Sequence, residues 1–179
     1  MTTVSWRTPQ KNTDRAALDA FKCAERVPPS RKAPSWELEV EKYFHGQVWA
    51  DTNRSRSLDQ RFRVAEDVEG IAAAYTHARA AGLHPELSVP ADTICRYMVM
   101  LGIAIRYRHQ SGKFADEVLL NALYDIQDRE AGQPEIVVFA KVHRHNQPSQ
   151  KMLGRAGFEE DIPGTSASPL AWWSLILQT

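Results

Sequence analysis

Residues 102 to 132, GIAIRYRHQSGKFADEVLLNALYDIQDREAG, constrain the fold more than any other stretch, because an apolar run, a short polar turn and an amphipathic helix follow one another without a break. Phe114, Val118, Ala122 and Ile126, with Leu119 and Leu123 beside them, form one apolar stripe at helical spacing over about four turns. Gly132 supplies the stop. The turn Gln110-Ser111-Gly112-Lys113-Phe114-Ala115 opens directly into this helix. It would aim unpaired backbone N–H groups and the positive end of the helix dipole at whatever lies above them. An anion suits that position. The alternative is an ordinary strand-to-helix connection with no ligand, since short glycine turns are common.

The 179 residues, 43% hydrophobic and 25% charged, suit one globular domain spanning 1–179, with an irregular polar N-terminus over 1–12. Lysine plus arginine equals aspartate plus glutamate at 22 each, so no long-range field marks nucleic acid or an anionic membrane as partner. Cys23 and Cys95 lack metal-ligand spacing, so no metal is expected, and two thiols in so long a chain suit a reducing compartment. MTTVSWRTPQKNTDR lacks the apolar core of a signal peptide, and no apolar run approaches the roughly 20 residues of a membrane span. The expectation is a soluble cytoplasmic protein, monomer or homodimer.

In chain order, Thr13 is placed as the cap of a short helix carrying Ala17, Leu18 and Phe21. Pro28, Pro29 and Pro34 make a stiff loop ending at Ser35 as N-cap of a second helix. Trp36, Val40, Tyr43 and Phe44 give this helix one aromatic side, which either packs on a sheet or lines a substrate cleft. Residues 51–59 read as a loop, 62–65 as a strand, 66–70 as an acidic turn and 71–78 as the returning strand, with helix as the competing reading of its alanines. Residues 81–92 read as loop and 94–105 as a long apolar strand feeding the glycine turn. Beyond the central helix, 136–142 suits a strand buried on both faces, about 146–156 a short helix, and 170–177 a final strand. This order predicts an α/β fold with a mixed sheet of about six to seven strands flanked by about four helices. The strands on either side of the central helix should be parallel neighbours that splay apart where a ligand enters.

The segment VHRHNQPSQKMLGRAGF, Val142 to Phe158, resembles the last motif of the GNAT superfamily of acyl-CoA-dependent N-acyltransferases. Asn146, Ser149, Met152 with Leu153, and Gly157-Phe158 stand at the matching positions. The superfamily's other hallmark, Gln or Arg, two residues, Gly, one residue, Gly or Ala, is similar to the turn at 110 to 115, with Lys113 where the family has glycine and Gly112 one place early. The resemblance covers roughly residues 60 to 179.

The resemblance implies acetyl-CoA as cosubstrate, its diphosphate on the backbone of Gln110, Ser111, Gly112, Lys113, Phe114 and Ala115, and its pantetheine arm along Gly102 to Ile105, with Ala104 and Ile105 in contact. An amide of that strand would polarise the thioester carbonyl. Asn146 caps the last helix, bonds the arm, or does both, with Ser149 beside it. Many family members place a tyrosine where this chain has Leu153, so the proton donor to the departing thiolate is open; Ser149, through a water, and Tyr107 are candidates. Glu69, Glu66 and His143 are the candidate bases for the incoming ammonium. The expected activity is transfer of acetyl from acetyl-CoA to a primary amine of a small molecule or protein. The alternative is a member that binds CoA as a sensor or interaction module without turnover, and a third reading is a small domain that binds another anion.

Overall fold

The computed structural model describes residues 4–25, 27, 34–54, 58–80, 85–90, 92–108 and 112–178. Seven strands hydrogen-bond in the order β1-β2-β3-β4-β5-β7-β6, with β4 and β5 parallel and the ends antiparallel, giving the expected mixed α/β sheet. They are β1 (Ser5–Arg7), β2 (Arg61–Asp67), β3 (Gly70–Arg79), β4 (Ile94–Ile103), β5 (Glu135–His143), β6 (Glu159–Ile162) and β7 (Leu170–Gln178). The helices are α1 (Lys11–Ala20), α2 (Ser35–Lys42), α3 (Val48–Arg54), α4 (Lys113–Arg129) and α5 (Gln147–Arg155). A wide π-helical turn, Tyr43–Gln47, joins α2 to α3 without a break, so these two count as one of the four helices expected. The chain divides into two compact units, residues 1–76 with 100–114 and residues 77–99 with 115–179.

In the first unit, the aromatic side of α2 meets the sheet as one of its two readings required. Phe44 is fully buried, stacks on Phe62 of β2 with centroids 6.0 Å apart and meets the edge of Phe21 at 5.9 Å. Gly102 faces the same cluster. A Cβ there would lie 3.0 Å from Phe44, 3.1 Å from Phe21 and 3.2 Å from Val40, so glycine lets α2 approach β4. Three expectations are corrected here. The N-terminus is not irregular to residue 12, since β1 pairs with β2 through Ser5↔Glu66, Trp6↔Ala65 and Arg7↔Val64, and α1 begins at Lys11. Arg7 explains both: its guanidinium holds Asp14 at 2.7 Å and Glu66 at 2.6 Å. Gln10 and Pro34, not Thr13 and Ser35, stand at the two helix caps, and residues 51–54 continue as helix α3.

In the second unit, Val118, Leu119, Ala122 and Ile126 of α4 are buried, and so are Ile136 to Ala140 of β5, on both faces of the strand. Gly132 adopts φ +93° where the chain turns after α4. The parallel ladder runs from Ile94↔Ile136 to Met98↔Ala140 and ends there, although β4 continues to Ile103. β5 pairs with β7 along nine residues, Glu135↔Gln178 to His143↔Leu170. The strand β6 lies after α5, where the sequence reading leaves room for a strand or strands and places only 170–177.

Candidate functional site

Strand β4 gives way at Ala104 to a tight helical turn over Ile105–Tyr107, and beyond Arg108 the next described residues, from Gly112, open α4. Gln110 and Ser111 lie outside the described residues. Gly112 adopts φ +76°, a left-handed conformation that glycine takes without strain, so the residue that the sequence marked as the turn glycine serves as one. Lys113 is the first residue of α4 and is exposed, with Phe114 buried and Ala115 partly buried behind it. The first N–H groups of this 17-residue helix have no partner within the helix, and such an end favours negative charge beside it.

The approach to that turn is braced. Asp67 at the end of β2 accepts a hydrogen bond from the Tyr107 hydroxyl at 2.6 Å and from Arg106 at 2.8 Å. Burial works against the charge on Asp67, but these hydrogen bonds outweigh it and hold the carboxyl below the ordinary aspartate range. The Tyr107 ring in turn stacks on Phe114 with centroids 4.0 Å apart. Arg108 reaches Glu37 at 2.9 Å and donates to the carbonyl oxygen of Cys23. Tyr107, a candidate proton donor by sequence, is therefore engaged as a brace between the hairpin and the first turn of α4.

Ala104 and Ile105 differ from the expectation in one respect. The Ala104 N–H donates to Ala72 at 2.8 Å and the Ile105 N–H to Lys22 at 3.0 Å, so neither amide is left to pair with a ligand. Both residues instead wall a cleft of about 420 Å³, whose lining also includes Ala17, Ala20, Lys22, Glu69 and Arg106. Glu69 stands in the turn between β2 and β3 with its side chain 71% exposed and 3.9 Å from Arg106. Glu66, the other hairpin carboxylate named as a candidate base, is held by Arg7 at 2.6 Å. The site residues that the structure gathers here, and that sequence spacing could not supply, are Asp67 and Arg106.

In the second unit, Asn146 caps α5, its Oδ1 accepting from the Ser149 N–H at 3.4 Å, and Pro148 lies in the first turn. The capping role foreseen for Asn146 is thus observed, and Ser149 is drawn to it through its backbone. Leu153 is buried at 2% exposure. His143 at the end of β5 accepts from the His145 N–H through its Nδ1 at 3.2 Å. Among the described residues no group of three or more His, Cys, Asp or Glu side chains is placed to hold a metal ion, and no helix is long and apolar enough to cross a membrane. Cys23 and Cys95 are free, and burial pushes the Cys23 thiol up to about 12.

No protein-family model matches the sequence, and no curated protein matches it. Solved structures do match, at low identity. The ribosomal-protein-S18-alanine N-acetyltransferase from Escherichia coli is 13% identical with a TM-score of 0.59, over 99% of this chain and 96% of that one. The PaiA N-acetyltransferase from Thermoplasma acidophilum in complex with coenzyme A is 15% identical with a TM-score of 0.61, over 96% of this chain and 98% of that one. An acetyltransferase of the GNAT family from Streptococcus pneumoniae is 14% identical with a TM-score of 0.57, over 98% of this chain and 100% of that one. The chain therefore has the fold of the GNAT acetyltransferases.

Proposed function

We propose that this protein is an N-acetyltransferase that moves acetyl from acetyl-CoA to a primary amine of a small molecule or protein. The observation that carries this is Gly112 at φ +76°, at the N-terminus of α4 and beyond the braced turn Ile105–Tyr107, in a chain with the GNAT fold. The neighbours' names point the same way: one acts on a ribosomal-protein alanine and another is held with coenzyme A. In this reading the diphosphate is gripped by the N–H groups of residues 110 to 115, where a helix N-terminus stabilises negative charge without any special side chain. The pantetheine arm lies against β4 beyond the last parallel pair, Met98↔Ala140, and the thioester carbonyl sits where that ladder ends. Asn146, besides capping α5, bonds the arm, and Ser149 holds a water near the sulfur.

Direct attack of the amine on the thioester follows, with positioning supplying most of the rate and Glu69, on the cleft wall, the candidate base. We place the protein in the cytoplasm, acting as a monomer or homodimer with a single catalytic domain over residues 1–179. Calorimetry with acetyl-CoA, followed by a screen of amines and peptides with acetyl-labelled cosubstrate, tests the reading; absence of acetyl-CoA binding would overturn it. One observation favours a second reading. Leu153, buried at the position where related enzymes carry a tyrosine, suits a protein that binds CoA as a sensor or assembly module. Saturable CoA binding with no turnover on a broad amine panel would select that reading.

A further inference from the structure

Strand β5 carries a group that the acetyl-transfer reading leaves unused. Ile136 to Ala140 are buried, whereas Lys141 turns to the surface. It is the first β5 residue beyond the last β4–β5 pair, Met98↔Ala140, and it stands cross-strand from Trp172 of β7. The Lys141 Nζ lies 4.0 Å from the centre of the Trp172 ring and 5.4 Å from that of Tyr97. These rings contact each other at 6.2 Å, and Phe139 meets Trp172 edge-on at 6.3 Å.

A lysine on a strand surface ordinarily sweeps a wide volume of solvent, because four single bonds separate its amine from the backbone. Here two aromatic faces hold the amine in one place. Two effects then act on its proton in opposite directions. Burial draws the Lys141 pKa below the ordinary lysine value, while the indole face favours the charged form. No carboxylate among the described residues is paired with it, in contrast to Lys22, which lies 3.9 Å from Glu41. The amine is thus localised, solvent-accessible and, among the described residues, without an ion pair to hold its proton.

We propose that Lys141 is itself an acetyl acceptor, modified in cis by the acetyl-CoA bound to the same chain. The inference rests on the acetyl-CoA reading above, which puts the thioester where the β4–β5 ladder ends. The neutral amine attacks the thioester carbonyl carbon, and a C–N bond forms as the C–S bond breaks. The sulfur leaves with the bonding pair as CoA thiolate, and the proton released from nitrogen passes to that thiolate or to water. The product is an uncharged amide, so its attraction to the Trp172 face as a cation is lost. Trp172 is therefore a built-in reporter of the event.

The test incubates the full chain with acetyl-CoA carrying a labelled acetyl group near neutral pH and follows every lysine by peptide mass spectrometry. The expected result is label on Lys141 at least about tenfold faster than on Lys113 or Lys151, because a held nucleophile has a high effective concentration. Its rate constant should not change as the protein is diluted, and the preference should vanish in urea-unfolded chain. Lys141→Arg, which keeps a cation over Trp172, should bind acetyl-CoA as before in calorimetry but show no acetylation-linked change in tryptophan fluorescence. Label on Lys141 no faster than on the other lysines, or a rate constant that rises with protein concentration, overturns the proposal. If that result comes with intact acetyl-CoA binding, the acetyltransferase reading survives alone; if acetyl-CoA does not bind at all, both fall.

Discussion

The Tyr107 hydroxyl donates to Asp67 at 2.6 Å, joining the end of β2 to the segment that leads from β4 into α4. Because Arg106 binds the same carboxylate at 2.8 Å, one nearly buried charge fixes two successive residues on the approach to Gly112. Its loss should loosen that approach. Asp67→Asn preserves shape but removes the charge, and the expected cost is about 1–3 kcal/mol of stability in denaturant unfolding. The folded-state pKa of Asp67 lies below its unfolded value of about 3.9, so its contribution is fully present above that value. As pH falls through the folded value the contribution disappears, and the difference between wild type and Asp67→Asn should shrink below about pH 4. A difference that stays constant down to full protonation would show that the charge is not what stabilises the brace.

Gly112 permits a sharper test of the diphosphate site. A non-glycine residue in the left-handed region costs roughly 1–2 kcal/mol, and a β-branched one more. Gly112→Val should therefore tilt the turn away from φ +76° and weaken acetyl-CoA binding by about tenfold or more, the equivalent of about 1.4 kcal/mol. Calorimetry on protein whose circular dichroism matches wild type gives the answer. Unchanged affinity would move the diphosphate elsewhere.

Lys113 departs from the family pattern and stands exposed at the first position of α4. Its ammonium can supply an ion pair to phosphate in place of the backbone contact that glycine would allow, but exposure keeps such a pair weak and open to salt. Lys113→Gly is expected to lower acetyl-CoA affinity by no more than a few fold, about 1 kcal/mol, and added salt should lower wild-type affinity to the same level. A clear gain in affinity on substitution would reject the ion-pair role.

These tests rest on parts of the chain that differ in how openly they are written. The α4 stripe from Phe114 to Ile126 and the apolar run of β5 are legible because helix and buried strand impose their own periods on local sequence. The hairpin return over β3 was also readable, and its alanines are buried because both faces of the strand are covered. β6 was not. Its residues Glu159–Ile162 are mostly exposed and are held by pairing with β7, so no apolar alternation marks them. The same reason hid β1, whose three residues depend on Arg7 meeting Glu66 59 residues away. At the site, Gly112 and Asn146 were visible because a turn glycine and a helix cap are local devices. The pairing of Tyr107, named only as a candidate proton donor, with Asp67 was not, since two residues 40 positions apart leave no trace in spacing. The same limit applies to Ala104 and Ile105, whose amides are taken by Ala72 and Lys22.

The last prediction concerns the thiolate that leaves when acetyl is transferred. Leu153 is buried at 2% exposure and has no proton to donate. Ser149, one turn earlier on α5, is tied through its backbone N–H to the Asn146 cap at 3.4 Å, and this contact does not use its hydroxyl. That hydroxyl could at most hold a water for the sulfur. A thiol has a reference pKa of only about 8.5, so CoA can depart unprotonated or take a proton from water or from the ammonium intermediate at modest cost. Positioning of the amine and polarisation of the thioester then carry most of the rate. Ser149→Ala should accordingly lower turnover by less than about tenfold, whereas removal of a positioned general acid commonly costs on the order of a hundredfold or more. A drop of about a thousandfold in turnover, with acetyl-CoA binding and thermal stability intact, would make Ser149 a proton donor and would replace this account of the departing thiolate.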